Sequence, residues 1–165
     1  MGLGERVWDK TAGAGYHRFL LDFDRIRESA RGGSTPSTAP VTLLFGLKAA
    51  CDMIEAEGLE ALYARHTRLG EHTRAGLRKL GLELVAAEGY ASPTVTVAWT
   101  PEGITAGQIQ QALIDRHGIY IATGQAHMAD RAIRIGHMGW TAEPELDRTL
   151  EALDDVLERI PAAVG

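Results

Sequence analysis

Ala132-Ile133-Arg134-Ile135-Gly136-His137-Met138-Gly139-Trp140 is the stretch on which the reading of this chain turns. Apolar residues flank a single arginine, and two glycines close the run. Branched side chains at this density predict a short strand over residues 132–135. A guanidinium inside such a strand is costly unless a carboxylate or phosphate meets it. The residues alone leave two partners open for Arg134: an acid of its own domain, or an anionic ligand.

The elements on either side give that strand a setting. Residues 94–99 predict a second strand, with Val95, Val97 and Trp99 on one side. Residues 82–85 and 119–122 predict two more. Between them, residues 105–117 carry a helical stripe of Ile109, Leu113 and Ile114, with Thr105 placed to cap it and Gly118 to end it. Residues 144–160 form a last amphipathic helix with Leu146, Leu150, Leu153, Val156, Leu157 and Ile160 inward. The order strand, strand, helix, strand, strand, helix predicts an α/β domain: a small, mainly antiparallel sheet with helices packed on one face.

Upstream the pattern changes. Ser34-Thr35-Pro36-Ser37-Thr38-Ala39-Pro40 is a turn and helix entry. Leu43, Leu44, Leu47, Ala50, Cys51 and Ile54 then recur at helical spacing as far as Gly58. A second helix runs over residues 59–80 with Leu59, Leu62, Tyr63, Leu69, Leu77 and Leu80 apolar, and Gly81 ends it. The first 40 residues are glycine-punctuated (Gly2, Gly4, Gly13, Gly15, Gly32, Gly33), with one short helical candidate over 23–29. They hold too few apolar residues to close a core. The domain expectation is therefore a connector over 1–40, long linking helices over 41–81, and a small α/β domain over 82–165.

Composition bounds the function. The chain has 165 residues, 45% hydrophobic and 24% charged, as in ordinary globular domains. A net charge of −5 speaks against a nucleic-acid or anionic-membrane partner. No apolar run has the length of a membrane span, no signal-peptide pattern opens the chain, and the expected compartment is cytoplasmic. Cys51 is the single cysteine; on the apolar side of its helix it reads as a buried, inert thiol. Of the histidines (His17, His66, His72, His117, His127, His137), His66 and His72 are six apart and do not share one helix side, so no metal site is expected. His127 and His137 flank the arginine strand and read as candidates to line a site there. The acids of the last helix read as a solvated face.

Four pieces in order carry a family resemblance: Thr35-Pro36-Ser37-Thr38, Glu57-Gly58-Leu59-Glu60, Ser92-Pro93-Thr94-Val95-Thr96 and Arg134-Ile135-Gly136-His137-Met138-Gly139. Over residues 35–160 the chain resembles the C-terminal part of a class V, pyridoxal-phosphate-dependent aminotransferase of the alanine–glyoxylate or serine–pyruvate type. That resemblance implies the C-terminal domain of fold type I. It implies that Arg134 binds the substrate α-carboxylate, and that Thr35 and Thr38 hold the phosphate of pyridoxal 5'-phosphate, usually that of a neighbouring subunit. Gly124 matches a loop near the substrate. The implied reaction moves an amino group between a small amino acid, such as alanine or serine, and a 2-oxo acid, such as glyoxylate or pyruvate.

The resemblance also implies a Schiff-base lysine. None of Lys10, Lys48 and Lys79 has that lysine's sequence context, so no catalytic residue is expected in this chain and it is expected not to transaminate alone. The expected partner is a second copy or a separate large-domain chain. The alternative is a non-catalytic dimerisation or partner-binding remnant of the same fold, using apolar residues such as Leu20, Leu21, Phe23, Leu43 and Phe45. A third reading is a stand-alone small-acid binder centred on Arg134.

Overall fold

The computed structural model describes residues 4–11, 13, 15, 18, 19 and 21–160. Gly2, His17 and Leu20, singled out above, lie outside the described residues. The chain divides into two compact units, residues 1–53 and 54–165.

The first unit holds α1 (Glu5–Thr11), α2 (Phe23–Arg31) and most of α3 (Val41–Glu57). The sequence reading missed α1. Its Trp8 ring meets Phe23 edge-on at 6.5 Å, and Thr11 Oγ1 donates to Asp24 at 2.8 Å. Asp22 caps α2 by accepting from the Arg25 N–H. None of the three helices buries a residue. Too few apolar side chains converge here to exclude water, as the composition of this segment implies.

Cys51 corrects the sequence reading: it is exposed. Burial was expected from its place on an apolar helix side, but the apolar residues of α3 have no neighbours dense enough to cover them. Leu43 and Phe45 stay about 70% exposed.

The second unit contains the core. It comprises the end of α3, α4 (Leu59–Lys79), β1 (Val95–Trp99), α5 (Ala106–His117), β2 (Ala122–Thr123), β3 (Ala132–Gly136) and α6 (Glu143–Arg159). Gly58, at φ +82°, separates α3 from α4, a backbone setting that favours glycine. The stripe of α4 that enters the core is His66, Leu69, Gly70, Thr73 and Leu77, spaced at three and four. Leu59 and Tyr63, expected inward, are exposed because the core begins a turn later.

The three strands are all antiparallel, in the order β1-β3-β2. Ile133 and Ile135 of the central strand join Leu69, Leu113, Leu153 and Val156 of the helices in one apolar cluster. At roughly 25 cal/mol per Å² of apolar surface, burial of this cluster is the main force holding the helices to the sheet. α4 and α6 approach closely where Gly76 meets Leu150; a Cβ at Gly76 would collide with that leucine.

Two expected strands come out differently. Residues 82–85 make only an isolated bridge, Leu84 opposite Ala98, supported by Val85 N–H to the Val97 carbonyl and Trp99 N–H to the Glu83 carbonyl. Residues 119–121 do not join the sheet, and β2 is left with Ala122 and Thr123. The reason is local: the Gln110 side-chain amide of α5 donates to the Ile121 carbonyl at 2.6 Å and takes the acceptor a ladder would use.

Thr105 caps α5 as its position predicts. Its Oγ1 accepts from Gln108 N–H, and Gln108 Oε1 accepts from Thr105 N–H at 2.8 Å, a reciprocal box. Gly118 ends the helix at φ +65°. Thr105→Ala should lower unfolding stability by about 1 kcal/mol in urea titration. An unchanged midpoint would show that the box contributes nothing to this helix.

Candidate functional site

Arg134 stands in the middle strand, opposite Val97 on β1 and Ala122 on β2. Alternation along β3 sends Ile133 and Ile135 into the core and places Arg134 and Gly136 on the other face. Its Nε donates to the Thr123 carbonyl at 2.7 Å. That bond fixes the plane of the guanidinium and uses one of its five donors. The terminal nitrogens make no hydrogen bond or ion pair among the described residues, and no described acid comes within salt-bridge reach. The side chain is half-buried, so its free edge is open to a ligand from solvent. Because β2 is short, the edge of β3 beyond Arg134 is open. A cleft of about 430 Å³ lies there, lined by Arg134, Gly136, Tyr120, Met138 and Glu145 among others.

The acceptor that holds Arg134 belongs to a tightly specified loop. Gly124 follows Thr123, donates its N–H to the Ala132 carbonyl at 2.7 Å, and is buried. A Cβ there would collide with the Met128 carbonyl, so glycine is required by space. Ala126 has φ +50°, a left-handed setting uncommon for a side-chain-bearing residue. The Gly124 loop and Arg134, singled out separately in the sequence, are thus joined through Thr123.

Past Gly136, two residues are pinned. His137 N–H donates to the Thr94 carbonyl at 2.9 Å and extends the ladder with β1. Its ring is fully buried, with Nε2 2.9 Å from Thr96 Oγ1 and Nδ1 without a partner among the described residues. His137 therefore sits on the core side, opposite to Arg134, and does not line the arginine's face; its odd-numbered place in the alternation decides that. His127 is exposed on a short 3-10 turn, Ala126–Met128.

Gly139 is held at both backbone groups. Its N–H donates to His66 Nε2 at 3.2 Å, and its carbonyl accepts from Arg65 Nη1 at 2.8 Å. Arg65 also grips Glu57 through both carboxylate oxygens, at 2.6 and 2.8 Å. This fork lowers the Glu57 pKa and raises that of Arg65, the side-chain hydrogen bond being the main cause of each shift. The sequence reading missed Arg65 and Thr96. Glu57 was within a quoted motif, but nothing in the spacing from 57 to 139 signals the contact.

Thr35 and Thr38 lie in the exposed turn before α3. Thr35 Oγ1 donates to the Ser37 carbonyl at 2.6 Å, whereas the Thr38 hydroxyl has no hydrogen bond among the described residues. Lys48 pairs with Asp52 at 2.6 Å on α3, and Lys10 and Lys79 are exposed.

No protein-family model matches the chain. Curated relatives do. The small subunit of a soluble hydrogenase from Synechococcus sp. is 38% identical over 160 residues, 97% of this chain and 41% of that protein. An uncharacterized aminotransferase of Methanocaldococcus jannaschii is 36% identical over 162 residues, 96% of this chain and 42% of that protein. The pyridoxamine–pyruvate transaminase of Mesorhizobium japonicum is 36% identical over 148 residues, 87% and 38%. The chain belongs to the class V aminotransferases and corresponds to their C-terminal part. It spans about two fifths of the length of these relatives. Solved aminotransferases share its fold. The alanine–glyoxylate aminotransferase of Nostoc sp. has a TM-score of 0.85 at 27% identity, over 94% of this chain and 42% of that one. The pyridoxamine–pyruvate aminotransferase of Mesorhizobium loti has a TM-score of 0.84 at 33% identity, over 99% and 44%.

Two predictions follow from the geometry of this aminotransferase region. Burial, then the neighbouring charges of Arg74 and His66, holds the His137 pKa below its ordinary value. The unfolded chain then takes up the proton more readily than the native one. Stability should be level above about pH 6.5, fall as pH drops from there towards the native pKa, and level off below it. His137→Gln should flatten that part of a pH–stability curve; an unchanged slope would assign the acid sensitivity elsewhere. Ala126→Gly should stabilise the domain by up to about 1 kcal/mol by relieving the left-handed alanine, and a loss of stability in urea titration would contradict the strain.

Proposed function

We propose that this chain supplies the carboxylate anchor of an aminotransferase acting on small substrates. The reaction moves an amino group between an amino acid such as alanine or serine and a 2-oxo acid such as glyoxylate or pyruvate. The observation that carries the reading is the state of Arg134: fixed in plane by Thr123, with its terminal nitrogens unengaged among the described residues. A planar guanidinium held this way offers two parallel donors to a carboxylate, which orients the rest of a small acid by geometry alone. The relatives include serine–glyoxylate aminotransferases, which supports the same substrate class.

Pyridoxal phosphate, when bound, supplies the electron sink that transamination needs. The turn before α3 fits the phosphate end. The first-turn N–H groups of a helix favour an anion, and the Thr38 hydroxyl is free to donate among the described residues. Thr35 would have to turn its hydroxyl away from Ser37 to join it. The residues do not fit the covalent end: Lys48 is engaged with Asp52, and Lys10 and Lys79 are exposed. The reading therefore assigns the cofactor-bearing lysine to residues outside this sequence, carried by a second copy or a separate large-domain chain. On this proposal residues 1–40 are the end of the large domain, 41–81 the linking helices and 82–165 the small domain.

A non-catalytic dimerisation or partner-binding role is the second reading, supported by one observation. The apolar residues of α3, among them Leu43, Leu44, Phe45 and Leu47, are all exposed. Such a surface drives association whether or not catalysis follows.

Two measurements test the aminotransferase proposal. Pyruvate should raise the melting midpoint of the wild-type chain and leave Arg134→Ala unmoved; equal shifts would rule out the anchor. Borohydride reduction of the chain with added pyridoxal phosphate should leave no single lysine stoichiometrically modified. Specific labelling of Lys10, Lys48 or Lys79 would overturn the assignment of the lysine elsewhere.

A further inference from the structure

We infer that Arg65 is a positioning residue for Arg134: by holding the Gly139 carbonyl, with Glu57 behind it, it fixes the end of β3 and with it the direction from which the Arg134 guanidinium meets a carboxylate. The inference rests on Arg134 being the anchor proposed above.

β3 is held unequally on its two sides. On one it has a full ladder with β1, from Ala132 through Gly136. On the other it has only Ala122 and Thr123, and the pairing stops at Arg134. Past that point the open edge borders the cleft, and the exit of the strand has no sheet partner on that side. A strand half-supported in this way would swing about Arg134 unless its far end were tied.

The tie is at Gly139, three residues past the strand. His66 Nδ1–H donates to the Leu62 carbonyl at 2.8 Å, which leaves Nε2 as the acceptor for the Gly139 N–H. Arg65 donates to the Gly139 carbonyl. Consecutive residues of α4 thus hold both polar groups of one glycine. Gly139 has φ +70°, and its lack of a side chain permits that backbone setting. Arg65 cannot wander, because Nε and Nη2 are committed to the two oxygens of Glu57 while Nη1 reaches Gly139. The pair is about 80% shielded from solvent on both side chains, so its geometry is held more firmly than that of the exposed pairs elsewhere on α3 and α6. Trp140 lies with its ring 5.6 Å from the Arg65 guanidinium carbon and adds a third restraint on the same loop. No lysine can reproduce this, since one ammonium cannot span a carboxylate and a carbonyl in a planar fork.

The experiment compares wild type, Arg65→Gln and Arg65→Lys by hydrogen exchange and by arginine side-chain NMR. In Arg65→Gln the Nε–H of Arg134 and the amides of residues 135–139 should exchange about three- to tenfold faster, with α5 amides unchanged. Arg65→Lys should lie between the two. A uniform rise that includes α5, or no change at Arg134, would overturn the inference, because a merely structural arginine loosens the domain as a whole. Wild-type behaviour in Arg65→Lys would overturn it too. Titration with pyruvate separates the two layers. The dissociation constant read at Arg134 should rise about three- to tenfold in Arg65→Gln. An Arg134 indifferent to pyruvate in wild type would sink the anchor reading, whereas equal binding by wild type and Arg65→Gln would overturn this inference alone.

Discussion

An arginine in the central strand of a small sheet has one tolerable place for its charge, the face away from the core. The antiparallel ladder between β1 and β3 enforces that placement. With Ala98 opposite Ile133 and Thr96 opposite Ile135, the alternation that seats the isoleucines among the helices turns Arg134 out with Val97 and Ala122. A slip of one residue would bury a guanidinium and expose two isoleucines. The cost of that exchange, several kcal/mol for the charge alone, is what locks the register.

The remaining features support that placement. Gln110 of α5 takes the Ile121 carbonyl, which shortens β2 and opens the edge of β3. Gly124 lets the loop close tightly enough for Thr123 to offer its carbonyl to Arg134. Arg65 and His66 hold Gly139, so the open edge does not become a mobile one. In the first unit the same economy fails. α3 brings apolar residues without a core to receive them, and they stay exposed.

Much of this was legible in the sequence because it is local. Gly58, Gly81 and Gly118 mark the helix ends, Thr105 its cap, and the period-two run around Arg134 its strand. Features that depend on distant residues were not. The bond from Gln110 to Ile121 cannot be read from either residue, and it removed most of an expected strand. The His137 ring was expected at the site, yet alternation carries it into the core beside Thr96. Cys51 looked buried because helical spacing reports which side is apolar and not whether anything covers it. The contact of Arg65 with Gly139 spans 74 residues and leaves no periodic trace. The role of Arg134 was suggested by resemblance; the geometry adds a guanidinium fixed by Thr123 with its outer donors unengaged among the described residues.

The central claim is that this free edge of Arg134 is made to receive a small carboxylate. Its most direct test is a pyruvate titration of the arginine-labelled chain, followed at the side-chain resonances of Arg134 and of Arg131, which stands over Trp99 near the start of the same strand. The account predicts a saturable shift at Arg134 with Arg131 unmoved. Equal, non-saturating drift at both, as expected from ionic strength alone, would contradict it.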